Sequence, residues 1–167
     1  MAAQRHFQWL RPVRRLINGI QFFSPVTETD LIALVSAVQT LIPDILPFVV
    51  RDYDSHFGFD GLATRNRELE ISETEHLFVE FKTEARPEFN HTFERLEALI
   101  CWSSKMKDGM EVTDLGGNKG TYKITPNSSN AYKARFIVVP NSRRNVEVFV
   151  FKELLESRGC TFKPVGE

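Results

Sequence analysis

Cysteine is scarce in this chain: Cys101 and Cys160 are the only two among 167 residues. Two thiols so far apart supply neither a disulfide framework nor a thiolate metal site, so nothing argues for secretion, and a reducing, intracellular (cytoplasmic) setting is expected. Long hydrophobic runs are missing as well. No window reaches the roughly eighteen uninterrupted apolar residues of a membrane span, which predicts a soluble protein without a membrane partner. The four histidines, His6, His56, His76 and His91, show no H-x-x-x-H or cysteine-partnered spacing for zinc. No Gly-x-Ser-x-Gly turn exists to present a serine nucleophile. Gly116-Gly117-Asn118-Lys119-Gly120 lacks the spacing and preceding strand of a Walker loop, which argues against ATP binding by this chain. Internal repeats and low-complexity tracts are also absent.

What remains is ordinary globular material, 42% hydrophobic and 26% charged, enough for one domain with a full core. The net charge of −1 conceals an uneven distribution. Residues 1–27 carry four bases and no acid, residues 28–102 carry six bases and fifteen acids, and residues 103–167 carry eleven bases and seven acids. An acidic middle between basic flanks suits an enzyme that holds a cation with carboxylates and a polyanion with Lys and Arg, although charge runs also serve simply as solvated faces. Arg14 and Arg15 in the first flank and Arg143 and Arg144 in the last are the candidates for nucleic-acid contact. The acid-free start, MAAQRHFQWLRPVRRL, reads as a basic arm or linker over residues 1–24, with organelle targeting as a competing reading. The domain proper is expected over residues 25–167.

Local patterning sets the order of elements. TETDLIALVSAVQTLI offers a Thr27 cap, acids at Glu28 and Asp30, and apolar residues at Leu31, Leu34, Val35 and Val38, which predicts an amphipathic helix ended by Pro43. FVVRDYD, FGFDGLAT and HLFVEFK read as three strands in meander order. EFNHTFERL is a helix candidate after Pro87, and EALICWS has the unbroken apolar character of a strand buried on both faces, which implies a parallel neighbour. EVTDL, GTYKIT and RFIVVP are further strands, and VEVFVFKELLES closes as a helix stopped by Gly159.

The chemistry concentrates in HLFVEFKTE, residues 76–84. Side chains alternate along a strand, so Glu80 and Lys82 share a face, about 7 Å apart along the chain, while Val79 and Phe81 point to the other. Asp60 lies in the preceding strand-like run, followed by Gly61, which permits a bend or a close approach. Two carboxylates from adjacent strands can share Mg²⁺ or Mn²⁺, an ion that takes oxygen ligands and keeps several waters. Such an ion lowers the pKa of a bound water that can attack a phosphodiester, and Lys82 would orient that water or steady the charge on the phosphate.

Asp60, then Glu80-Phe81-Lys82, set in a helix and strands in the order αβββαβ, resembles the PD-(D/E)xK nuclease superfamily, the restriction-endonuclease-like fold. E-x-D before the helix, F-D-G-L, V-E-F-K, F-N-H and L-I-C-W together resemble the nuclease-like module found beside GHKL-type ATPase domains, over about residues 27–157. The resemblance implies an α/β fold with an αβββαβ core, a mixed central sheet, a β-rich C-terminal extension and a terminal helix. It implies a catalytic set of Asp60, Glu80, Lys82 and Glu28, with Asp60 and Glu80 on the metal, nucleic acid (DNA foremost) as substrate, and a GHKL-type ATPase or a second copy of the chain as partner. Phe59 stands where the motif's proline would be, and no Gln-x-x-x-Tyr follows, so a fourth role falls to Asn90 or His91.

Plain structural roles compete at each position. Glu80 and Lys82 form a same-face ion pair in that reading, Asp60-Gly61 a turn, Glu28 and Asp30 complements to the helix dipole, and His91 a satisfied histidine. Cys101 and Trp102 read as packing residues. A non-catalytic module of the same fold, docked on an ATPase or DNA, is the alternative to a nuclease.

Overall fold

The computed structural model describes residues 13–15, 21–53, 59–65, 76–126, 132–142 and 144–162. Arg143, the polar stretch 66–75 and the side chains of Arg14 and Arg15 lie outside that description. The elements run β1 (Val13–Arg15), β2 (Gln21–Phe23), α1 (Glu28–Leu41), β3 (Val49–Tyr53), β4 (Gly61–Thr64), β5 (His76–Ala85) and β6 (Leu96–Ser104). They continue as β7 (Glu111–Thr113), β8 (Lys119–Thr125), β9 (Ala134–Val138), β10 (Val146–Val150), α2 (Phe151–Ser157) and β11 (Thr161–Phe162). The chain is α/β, with a mixed, curled sheet of eight strands in the order β3-β4-β5-β6-β10-β9-β8-β7. Strands from the expected arm, β1 and β2, join β11 in a separate three-stranded sheet. No helix among the described residues is long and apolar enough to cross a membrane.

Helix α1 begins at Thr27 as the pattern predicts. The Asp30 amide donates to Thr27 Oγ1 at 3.1 Å, and Asp30 Oδ2 accepts from the Thr27 and Val26 amides, each at 3.0 Å. This reciprocal cap satisfies donors that the first helical turn leaves open. Leu31, Leu34, Val35 and Val38 are buried with Phe48, Val79, Phe81 and Ile100, and Phe151, Leu154 and Leu155 of α2 join the same cluster. Gln39 ties the helix to the sheet edge, donating to Phe48 O at 2.8 Å and accepting from the Val50 amide at 3.3 Å.

Strands β3, β4 and β5 form the expected antiparallel meander, and β6 is parallel to both β5 and β10. The buried apolar run of β6 is explained by that central place: Ala98 and Ile100 face the helical layer while Leu99 and Cys101 face the second cluster. On the second side Leu99, Cys101 and Val148 meet Val112, Tyr122 and Ile137, because the sheet curls β7–β9 over its own face.

One expectation is overturned. EFNHTFERL is not helical, so an irregular crossover over residues 86–95 replaces the helix between the third and fourth strands of the expected αβββαβ order. Its backbone is claimed from downstream. The Phe89 amide donates to Thr113 O, the Thr113 amide to Pro87 O and the Leu115 amide to His91 O, while the Phe93 amide donates to Asp114 Oδ2 at 2.9 Å. Phe89 and Phe93 are still buried at a helix-like spacing. Partners on and after β7 satisfy the crossover's polar groups, and the local helix loses the competition.

Candidate functional site

The site forms where β4 and β5 part. Their ladder runs from Thr64↔His76 to Gly61↔Val79, and Asp60 is the residue just before it. Beyond the ladder β5 continues to Ala85 paired only with β6. Asp60 closes the split, its Oδ2 accepting from the Phe81 amide at 2.8 Å. Gly61 allows a close approach at the turning point, since a Cβ there would lie 3.0 Å from Asp52 O, tighter than an ordinary contact.

Glu80 is fully buried. Its Oε1 lies 2.5 Å from Lys82 Nζ and 2.9 Å from His91 Nε2, contacts of ion-pair length whose angles are not those of good hydrogen bonds. Both oxygens are buried without a hydrogen-bond partner among the described residues. Burial pushes the Glu80 carboxyl up to about 7; Lys82 opposes the shift, while the Asp60 and Glu28 charges add to it.

Lys82 Nζ also contacts Glu28 Oε1 at 3.2 Å, so the ammonium bridges a buried acid and one in the first turn of α1. Burial alone would pull the Lys82 pKa down, but its contacts with Glu80 and Glu28 outweigh that and hold it above the usual lysine value. Lys82 is therefore a cation at neutral pH. The two acids of E-x-D divide their work: Asp30 is engaged in the helix cap and Glu28 in the site. Beside Lys82 a depression of about 120 Å³, lined also by Arg86 and Asn90, opens to solvent.

The crossover supplies the lid over Glu80. His91 stands between Glu80 Oε1 and the Phe59 ring, whose centroid is 6.2 Å from its own, and Phe59 in turn packs at 4.8 Å on Phe78. Asp114, not singled out in the sequence, fixes this lid: its carboxylate accepts from the Phe93 amide, from the Asn118 amide at 2.8 Å and from Asn118 Nδ2 at 2.9 Å. Burial pushes the Asp114 pKa up, but these hydrogen bonds more than reverse the effect and hold it below the usual value. The sequence signal was the Asp-Leu-Gly-Gly-Asn turn, which looks like any loop until its partner segment is known.

The basic candidates fall elsewhere. Arg144 precedes β10, at the opposite end of the parallel strands from Lys82, and pairs with Glu97. Arg14 lies on β1 in the small sheet. Cys101 and Trp102 are buried in β6, as their packing reading requires.

Among the described residues, no three His, Cys, Asp or Glu side chains form a group that could hold a metal. A divalent ion here would have the Asp60 and Glu80 carboxylates and complete its shell with water and backbone oxygens, a pattern that Mg²⁺ tolerates. The buried Glu80 carboxylate, neither of whose oxygens has a hydrogen-bond partner among the described residues, is the one feature that such an ion would satisfy. No family model matches the chain, and no curated protein or solved structure gives a significant match.

Proposed function

We propose that this chain is a divalent-metal-dependent nuclease domain of the PD-(D/E)xK type, hydrolysing phosphodiesters of nucleic acid, with DNA as the foremost substrate. The observation that carries the reading is the meeting of residues from three distant stretches, Glu28, Asp60 and the Glu80-x-Lys82 pair, at the split between β4 and β5. In this reading Asp60 and Glu80 hold Mg²⁺ or Mn²⁺. The ion, when bound, supplies Lewis acidity at the phosphate and a water of lowered pKa. Lys82, held protonated, donates to the attacking water or to a phosphate oxygen and offsets charge that grows there; its raised pKa suits a positioned cation, not a general base. Glu28 keeps the ammonium aimed. The αβββαβ order is then a variant in which the second helix has given way to a crossover that brings His91 to the site.

Full burial of Glu80 beneath its contacts with Lys82 and His91 favours a second reading, a non-catalytic module of this fold that docks onto a GHKL-type ATPase or onto DNA. One experiment separates the two. Plasmid and single-stranded DNA are incubated with the chain in Mg²⁺, in Mn²⁺ and in chelator, beside Lys82→Ala. Metal-dependent cleavage by the wild type, reduced at least about a hundredfold in the variant, is expected by analogy with loss of a transition-state charge stabiliser. Intact substrate under both metals would leave the docking module.

A further inference from the structure

We infer that Arg86 completes a site for a phosphate group beside Lys82: Glu84 anchors the guanidinium through Nε and leaves Nη1 and Nη2 available to an anion seated in the depression that both cations line. The inference rests on the proposed reading for the source of that phosphate, a nucleic-acid backbone, and needs no bound metal. Three observations combine. The depression, walled by Lys82, Glu84, Arg86, Glu88 and Asn90, measures about 120 Å³. That is far below the roughly 300–1,000 Å³ of pockets that enclose whole small molecules, so it suits a single chemical group. Next, Arg86 Nε donates to Glu84 Oε1 at 2.8 Å, the one polar contact of its side chain among the described residues. A guanidinium carries five donors in a rigid fork, and the anchor uses only one of them. Last, the anchor is itself fixed. Lys105 Nζ meets Glu84 Oε1 at 3.1 Å, and the Lys105 amide donates to Ala85 O at 3.1 Å. Lys105 and then Arg86 hold the Glu84 carboxyl below its usual value, so it stays charged. Strand alternation puts Lys82 and Glu84 on one face of β5, about 7 Å apart along the strand, and the bond to Glu84 draws Arg86 back toward that face from just past the strand's end. The Asn90 amide adds donors from the crossover and has no hydrogen-bond partner among the described residues. Ammonium, fork and amide, coming from three segments, suit an anion with oxygens on every side, a phosphate, better than a planar carboxylate. Of the two acids on the wall, Glu84 is offset by its two cations, and Glu88 is exposed to solvent screening.

The test is binding by the full-length chain in chelator. Inorganic phosphate is followed through amide shifts at residues 82–90, and a short DNA, single-stranded and as duplex, through fluorescence anisotropy at several salt concentrations. Arg86→Ala removes charge and fork, and Arg86→Lys keeps the charge alone. Lys105→Ala takes a charge from the same anchor but outside the depression. The Arg86 side chain is 64% exposed, so its variants should melt like the wild type. Arg86→Ala should bind DNA about tenfold more weakly and lower the slope of log affinity against log salt by about 0.7–0.9, the share of one phosphate contact. Arg86→Lys should recover less than half of the loss, and Lys105→Ala should cost no more than about twofold. Phosphate should shift amides at 82–90 in the wild type and leave them in place in Arg86→Ala. Equal losses in Arg86→Ala and Lys105→Ala, or full affinity in Arg86→Lys, would mark a diffuse basic surface and overturn the inference, as would a wild type whose amides phosphate does not shift. Phosphate binding that depends on Arg86 in a chain that binds no DNA keeps the site and removes the nuclease reading. Metal-dependent DNA cleavage with unchanged DNA affinity in Arg86→Ala keeps that reading and overturns the inference.

Discussion

Glu80→Gln should stabilise the protein, and by an amount that grows with pH. A carboxyl that titrates at about 7 in the fold and at 4.5 in the unfolded chain holds its proton in the native state across a window where the unfolded chain has released it. Native stability therefore falls as pH rises from about 4.5 to about 7, by about 3 kcal/mol for this one group, at about 1.4 kcal/mol per pH unit, and changes no further above that. A glutamine at this position resembles the protonated acid in shape and carries no charge to desolvate. Urea unfolding of both proteins at pH 4 and pH 8 in chelator measures the difference, and other titrating groups cancel to first order because both chains share them. The variant should be nearly equal to wild type at pH 4 and about 3 kcal/mol more stable at pH 8. On the proposed metal reading, Mn²⁺ should then close most of that gap: an ion at about 100 times its dissociation constant stabilises the native state by about 2.7 kcal/mol, and the Gln variant has lost one of the two ligands. A stability difference that stays flat from pH 4 to pH 8 would refute the account of Glu80 as a poorly compensated buried acid.

Asp114→Ala should cost about 2 kcal/mol in urea unfolding, the penalty for leaving the buried Phe93 amide without its acceptor. It should also loosen the crossover, seen as faster amide exchange at residues 89–93 than in the rest of the sheet. Gly120→Ala places a methyl 2.7 Å from the Ile137 side chain and 3.3 Å from Val138 O, and Ile137 is fully buried. A loss of about 1–3 kcal/mol is expected from overpacking, and an unchanged denaturation midpoint would show that β8 and β9 yield more readily than their contacts imply.

How far the sequence could be read depended on how local the determining forces were. Helix α1 was legible because its cap, Thr27 with Asp30, and its apolar stripe all lie within one segment. The meander and the buried β6 were legible from strand patterning. The crossover was misread because Phe89 and Phe93 keep helical spacing, while the groups that capture its backbone, Thr113 O and Asp114, come about twenty residues later. Gln39 reads as a polar residue on a helix flank until Phe48 O and the Val50 amide appear beside it. Arg135 reads as one more base of the last flank, yet it is buried against Glu153 and Tyr132. Its role depends on a helix whose packing no local pattern reveals.

The catalytic and docking readings differ on one physical question, whether stability alone accounts for Glu80. An ion pair kept for structure should leave each buried polar atom satisfied, because removing charges from water is repaid only by close pairing and full hydrogen bonding. Glu80 does not meet that condition: among the described residues neither of its buried oxygens has a hydrogen-bond partner, and the carboxyl is pushed up to about 7 despite a lysine 2.5 Å away. The compensation available to a third acid is partial too, since the same ammonium also serves Glu28. A neutral side chain of similar volume would pack between Phe78 and Lys82 at lower cost to folding. On the proposed reading, a divalent ion would supply a second positive charge at this carboxylate and would offset the repulsion between Glu80, Asp60 and Glu28. A docking partner would have to bring a cation or a hydrogen-bond donor to this carboxylate to satisfy it as well, and an apolar covering surface would leave the deficit in place.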